Sequence, residues 1–331
     1  MNSKLQPYVE RAVAGFKALA SGDAIGKQTE TLSHADVLRL YPEGIQGFHG
    51  RPGDVIPRYA GNRRYEWRIG ETTDDTEQTL AVGRALLRVQ PLSHTIVGEE
   101  LLKCRKSLHP GVSMWDFHRL GDASGTAVEG DGCGAAMRVA PVGVLYSPER
   151  LDELVRAVYE SSLPTHGGQF AICAAAAVAG AISGAMEGKP AAEVLNLAIQ
   201  AARAAEAYRS ASKGTAATPN IATLIQEIHA DLSRHDTLLV NDLAQKYFPD
   251  KNETKVPLAI NLALLTESAE QTILLAANVG GDADSVASIG GAIAGALRPD
   301  TVNDAWFQVV QTVNGDDLIE MAHGLAQLRS S

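Results

Sequence analysis

The run "FAICAAAAVAGAISGAM", residues 170 to 186, constrains the fold more than any other stretch of the chain. It carries no charge and is mostly Ala and Gly. That is short and weakly apolar for a membrane span, which needs about 20 predominantly apolar residues. A helix apolar on all sides belongs in a protein core. Gly180 and Gly184 stand four apart in it, and Gly291 and Gly295 repeat the spacing in "GGAIAGAL". In lipid such pairs dimerise helices; here they predict buried helices packed closely. A glycine costs about 1 kcal/mol in a helix interior, so close approach must return at least that. Hydrophobic residues are 45 % of the chain but aromatics only 5 %, so small side chains, not rings, must fill the core.

Helix signals recur along the rest. "SPERLDELVRAVYESSL" has Ser147 as cap and Pro148 at the first helical position, with Leu151, Leu154, Val155 and Val158 on one face. "VLNLAIQAARAAEAY" is strongly helical, and "PNIATLIQEIHADLSR" places Ile221, Leu224, Ile225 and Ile228 at helical spacing. "ESAEQTILLAANVGG" opens on a Ser268/Gln271 capping box and stops at Gly280 and Gly281. "DSVASIGGAIAGAL" follows, with Val286, Ile289, Ile293 and Leu297 inward. Strand signals are scarce. The Gly-, Pro- and Arg-rich stretch from Tyr41 to Arg68 reads as loop, and so does the stretch from about 105 to 135. No linker-like shift in composition divides the chain. The expectation is an all-α protein, one compact domain over residues 1–331, a size that a large helical domain can reach.

Net charge is −10 and the sequence pI is near 5.4. A dedicated nucleic-acid binder would show a basic footprint instead. Cys104, Cys133 and Cys173 match no zinc or redox spacing, which suggests reduced thiols in a cytoplasm. Charges are scattered through the first 26 residues, unlike a signal peptide. A cytoplasmic monomer without membrane attachment is expected.

Two acidic clusters stand out. In "ETTDDTEQTL", Thr73, Asp74 and Asp75 are adjacent. Adjacent like charges repel, more so where water is excluded. One explanation is a helix start, with Asp74 as N-cap and Glu77 completing a capping box. In "NVGGDADSVASIGG", Asp282, Asp284 and Ser285 open a helix after the two glycines. One acid suffices for a cap, and here there are two. No His or Cys lies beside either cluster. Oxygen-only ligand sets suit Mg²⁺, Mn²⁺ or Ca²⁺ and argue against zinc. If the two helix starts converged, four carboxylates would meet and require cations.

Five segments, in order, give the chain a wider resemblance: "SGDAIGKQTE", "TTDDTEQTL", "GCGAAMRVAPVGVLY", "LPTH" and "GGDADSVASIGGAIAGAL". Together they resemble the ADP-ribosylglycohydrolases, the family of the dinitrogenase-reductase-activating glycohydrolase. The resemblance implies an all-α fold with two Mg²⁺ ions, or Mn²⁺ in some members. By position it makes Thr73, Asp74, Asp75, Asp282, Asp284 and Ser285 metal ligands, with Ser285 where many members carry Thr. It makes Glu30 the catalytic acid–base group near the reacting sugar. Glu30 lies in a Gly-containing loop apart from both clusters, so it is expected to stay off the metals. The resemblance also assigns Gly132, Cys133 and Gly134 to a phosphate-binding stretch and places His166 near the phosphates. Many members have Asn where this chain has Cys133 and Ser where it has Gly130. His109, Trp115, Phe117 and His118 lie in the 105–135 stretch and could line an adenine or leaving-group pocket, but no role is assigned to them.

The activity implied is hydrolysis of an N- or O-glycosidic bond between ADP-ribose and an acceptor, either a protein or a small molecule. Two other outcomes remain open at this point: a glycohydrolase of another ribosyl or nucleoside-like metabolite, and a non-catalytic member with a structural role.

Overall fold

The computed structural model describes residues 5–60, 63–106, 112–208 and 220–330. In chain order come α1 (Leu5–Gly26), α2 (His34–Leu40), strands β1 (Val55–Ala60) and β2 (Arg63–Arg68), α3 (Asp74–Arg88), α4 (His94–Leu101) and α5 (Val112–Leu120). Then follow α6 (Gly134–Met137), α7 (Ala140–Leu145), α8 (Leu151–Ser162), α9 (Gln169–Met186), α10 (Ala191–Ala205) and α11 (Ile221–Leu232). The rest are α12 (Val240–Tyr247), α13 (Asn252–Leu265), α14 (Ala269–Val279), α15 (Ala283–Leu297), α16 (Asp304–Asn314) and α17 (Leu318–Arg329). The fold is all-α, as the sequence predicts; the strands among the described residues form one antiparallel hairpin.

Two small-residue helices form the centre. α9 has the length and mean hydropathy of a membrane span, yet 94 % of it is buried within the protein. A Cβ built on Gly180 would lie 2.7 Å from the Leu197 carbonyl oxygen, and one on Gly184 2.7 Å from Leu197 Cδ1. The first glycine pair therefore lets α10 close onto α9.

The second pair does the same between α15 and α1. A Cβ on Gly291 would lie 2.6 Å from the Ala18 carbonyl oxygen, and one on Gly295 2.7 Å from that of Ala14. From the other side, Gly22 faces Ala287 and Gly26 faces Ala283. Residue numbers rise along α1 as they fall along α15, so the two run antiparallel. The C-terminus of α1 is thereby brought to the N-terminus of α15. One contiguous buried cluster of Ala, Val, Leu and Ile side chains surrounds this seam.

Two expectations need correction. Part of the Tyr41–Arg68 stretch is a hairpin, with Val55 opposite Arg68 and Ala60 opposite Arg63. The first strand, "VIPRYA", carries a proline and does not alternate; the second does, over Arg64, Tyr65, Glu66, Trp67 and Arg68, but that short signal is hidden by the surrounding Gly, Pro and Arg. Trp67 is buried beside the end of α1. Part of the 105–135 stretch is helix α5, where Met114 and Phe117 are buried at i, i+3 spacing, and Gly134 begins α6. The flanking Gly- and Pro-rich residues hide both helices. His109 lies outside the described residues. The Ser147/Pro148 start opens a 3-10 turn at Pro148–Arg150 that leads into α8. The Ser268 cap forms as predicted, accepting from Gln271 N at 3.0 Å.

Candidate metal and substrate site

The antiparallel seam decides where the acids go. α3 and α15 both point their N-termini at the end of α1. Positive helix ends suit carboxylates, and small residues allow the three backbones to approach.

At α3 the cap is Thr73, not Asp74. Thr73 Oγ1 accepts from Asp75 N at 3.0 Å, and Glu77 accepts instead from the backbone of Arg105 and Lys106. Asp74 and Asp75 are thereby left for another use. The start of α3 is anchored by Asp23 of α1, which is fully buried and accepts from Thr73 N at 3.0 Å and Thr76 N at 3.1 Å. At α15, Asp282 stands at the cap position but makes no capping hydrogen bond. Gly280 and Gly281, at φ +89° and +68°, make the turn that aims it.

All of the sequence-predicted residues line one cavity of about 330 Å³: Glu30, Thr73, Asp74, Asp75, Gly132, Cys133, Gly134, His166, Asp282, Asp284 and Ser285. The two helix starts converge, and Ser285 Oγ lies 3.5 Å from Asp75 Oδ2. Glu30 joins them. Ligand-capable oxygens of Glu30, Asp282 and Asp284 lie within 4.8 Å of one another. The expectation that Glu30 stands apart from both clusters is therefore overturned. Antiparallel packing carries the loop after α1 onto the start of α15, where Thr31 and Gly281, and Leu32 and Gly281, share backbone hydrogen bonds.

The electrostatics show a cluster short of positive charge. Burial, followed by the charges of Asp23 and Glu30, pushes Asp74 up to about 6. Burial, then Asp23, Asp74 and Asp282, holds Asp75 well above the ordinary range. Burial, then Glu30, Asp282 and Asp75, does the same to Asp284. Asp75 Oδ1 is buried with no hydrogen-bond partner. An orphaned carboxylate oxygen beside several others is the arrangement that a hard cation satisfies.

Several residues escaped the sequence reading. Lys27 ion-pairs with Glu30 and lies 4.8 Å over the Trp67 ring. Lys255 of α13 pairs with Asp282 Oδ2 at 2.8 Å. Asp23 and Lys27 sit inside the segment "SGDAIGKQTE", which is their signal in the sequence; Lys255 has none. Cys133 Sγ lies 3.2 Å from Asp282 Oδ2, and burial, then that carboxylate, holds its thiol well above the ordinary value.

His166 packs on the glycine stretch, where a Cβ on Gly134 would fall 2.5 Å from its Cε1. Gly134 is glycine because the ring occupies that space. A second cavity, of about 610 Å³, meets the first at Gly132 and His166. Phe117, Leu120 and Pro164 give it apolar wall, and Asp116, Asp122 and Glu129 give it carboxylates. Phe117 thus lines a pocket beside the site, while Trp115 is exposed.

A family model described as ADP-ribosylglycohydrolase matches residues 4–331. An uncharacterized protein of Archaeoglobus fulgidus is 29 % identical, covering 88 % of both chains. The uncharacterized protein YegU of Escherichia coli K12 is 28 % identical, covering 97 % of both. The ADP-ribosyl-[dinitrogen reductase] glycohydrolase of Rhodospirillum rubrum is 30 % identical over 142 residues, 41 % of this chain and 44 % of that one. Among solved structures, a chain titled "ADP-ribosylglycohydrolase-related protein complex" superposes with a TM-score of 0.67 at 23 % identity. It covers 98 % of this chain and 99 % of that one, a likeness of fold.

Proposed function

The chain belongs to the ADP-ribosylglycohydrolase family, and from that premise we propose that it hydrolyses the N- or O-glycosidic bond joining ADP-ribose to an acceptor, using a pair of Mg²⁺ or Mn²⁺ ions. The observation that carries the reading is the meeting of Asp74, Asp75, Asp282, Asp284 and Glu30 on one cavity, with Asp75 Oδ1 orphaned.

Thr73, Asp74, Asp75, Asp282, Asp284 and Ser285 would hold the ions. When bound, the ions would supply Lewis acidity and a water of lowered pKa. Glu30 is placed by its ion pair with Lys27 and takes or gives the proton as water adds at the anomeric carbon and the acceptor leaves. Gly132, Cys133, Gly134 and His166 face the diphosphate. The second cavity takes the group beyond it. The acceptor is an ADP-ribosylated protein or a small ADP-ribosyl compound. Three free cysteines among the described residues support a reducing, cytoplasmic setting.

One observation favours a second reading. Among the described residues, those lining the second cavity include three carboxylates and no Lys or Arg, a setting better suited to an uncharged or cationic group than to a phosphate. A nucleoside-like ribosyl compound would fit it. A panel of ADP-ribosyl and nucleoside substrates, assayed with Mg²⁺ and with EDTA, tests both. Released ADP-ribose in the Mg²⁺ arm alone supports the first reading, and turnover confined to nucleosides supports the second. No turnover in any arm leaves only a structural role.

A further inference from the structure

We propose that Arg138 is a positioning residue that orients both halves of the site at once, through Gln78 toward Asp74 and through Thr165 toward His166. This deepens the reading of Asp74 and His166 as ligand-facing groups and rests on it. Its first measurement does not.

Arg138 follows α6 and is fully buried. One arm of its guanidinium donates from NH1 to Gln78 Oε1 at 2.8 Å. A guanidinium only donates, so the amide must turn its oxygen toward it. The amide nitrogen then points away, and Gln78 Nε2 donates to Asp74 Oδ2 at 3.1 Å. Arg138 thereby fixes which end of Gln78 meets the acid.

The other arm donates from NH2 to the Ser161 carbonyl at 2.8 Å and to Thr165 Oγ1 at 2.9 Å. Thr165 is fully buried, and its hydroxyl also lies 2.8 Å from His166 Nδ1. The hydroxyl proton cannot go to the guanidinium. Placing it on Nδ1 avoids a buried, unsatisfied O–H. Nδ1 is then the acceptor, and the ring proton sits on Nε2. That nitrogen faces the glycine stretch, since a Cβ on Gly134 would fall 2.8 Å from it and one on Gly132 3.4 Å. Burial, then the Arg138 charge, pulls His166 down to about 3, so the ring stays neutral. His166 thus presents one fixed N–H donor to the cavity.

Packing alone does not account for this residue. Arg138 Nε has no hydrogen-bond partner, and the side chains that its other nitrogens bind are neutral. A buried guanidinium satisfied this incompletely recovers little of its desolvation cost. An apolar side chain of similar volume would fill the space without that cost.

The test begins with ¹⁵N NMR of histidine-labelled, metal-free protein, with His166 assigned by comparison with His166→Gln. The wild type is expected to show the Nε2–H tautomer. Thr165→Val should convert the ring to a tautomer mixture while leaving Mg²⁺ affinity, read by calorimetry, unchanged. Gln78→Leu should weaken Mg²⁺ binding about 10- to 100-fold without moving the His166 signals. Arg138→Met should do both. If Arg138→Met fails to fold, Arg138→Lys, which keeps the charge but cannot fork to both Gln78 and Thr165, takes its place, and unchanged tautomer and Mg²⁺ affinity in that variant overturn the proposal. An Nδ1–H tautomer in the wild type overturns the proposal. So does a folded Arg138→Met with unchanged tautomer and metal affinity, since Arg138 would then be structural. A tautomer shift in protein that binds no ADP-ribose upholds the Arg138 assignment and counts against the hydrolase reading instead.

Discussion

The last two turns of α15 and its first turn make an instructive pair. After Ser288, Gly290, Gly291 and Gly295 lie against neighbouring backbone and side chains with no room for a methyl group. Before Val286, Asp282, Asp284 and Ser285 open into a cavity with unfilled volume and excess negative charge. The seam is limited by shape and indifferent to charge. The acidic end is limited by charge and has space to spare. The difference matters because one helix serves both. The seam fixes the approach of α1, and that approach brings Glu30 to the acids.

Substitutions at the two ends should therefore fail in opposite ways. The largest effect is expected at the acidic end. Glu30→Gln should cut turnover about 10²–10⁴-fold with the thermal melting curve nearly unmoved. A melting loss matching the activity loss would erase the contrast. Next comes Asp284→Ala. Its Mg²⁺ affinity should fall by at least about 10- to 100-fold, while the metal-free protein melts at the same temperature or higher because repulsion is relieved. Calorimetry and melting in EDTA read both, and a large drop in the EDTA melting temperature would count against the cluster as a charge-limited site.

At the seam, Gly295→Ala should destabilise the fold by about 1–3 kcal/mol, since its Cβ would press on the Ala14 carbonyl. Mg²⁺ affinity per folded molecule should hold. Chemical denaturation beside calorimetry checks it, and neutral stability would mean that the seam has room for a methyl group.

The smallest effect sharpens the contrast through pH. His166 is neutral in the fold down to about 3, whereas the unfolded chain binds a proton below about 6.5. The unfolded state then holds more protons, so this group makes stability fall as pH drops through that window. His166→Gln should remove close to one proton's worth, about one, from the slope of stability against pH. An unchanged slope would place the ring in a more open setting.

Much of this was legible locally. The Gly180/Gly184 and Gly291/Gly295 pairs announced close packing, and the Ser268 cap appears where its spacing put it. Both acidic clusters were visible as helix starts with more carboxylates than capping needs. The hairpin at Val55–Ala60 and Arg63–Arg68 was not, because Pro57 interrupts the first strand and the short alternation of Arg64 to Arg68 in the second has no alternating partner beside it in the chain. Lys255 was invisible for a different reason: it acts on Asp282 from another helix, and nothing beside it in the chain marks that role.

The sequence by itself determined the helices, the small-residue core and the chemistry of the ligands, because periodicity, capping and residue type are local properties. Only the tertiary structure decided that Thr73 rather than Asp74 caps α3, that Glu30 joins Asp282 and Asp284, and that Arg138 links Asp74 to His166. Those outcomes depend on which helix ends meet. That is settled by how glycine faces stack, with α1 running antiparallel to α15, and by the need of each buried donor to find an acceptor across the chain.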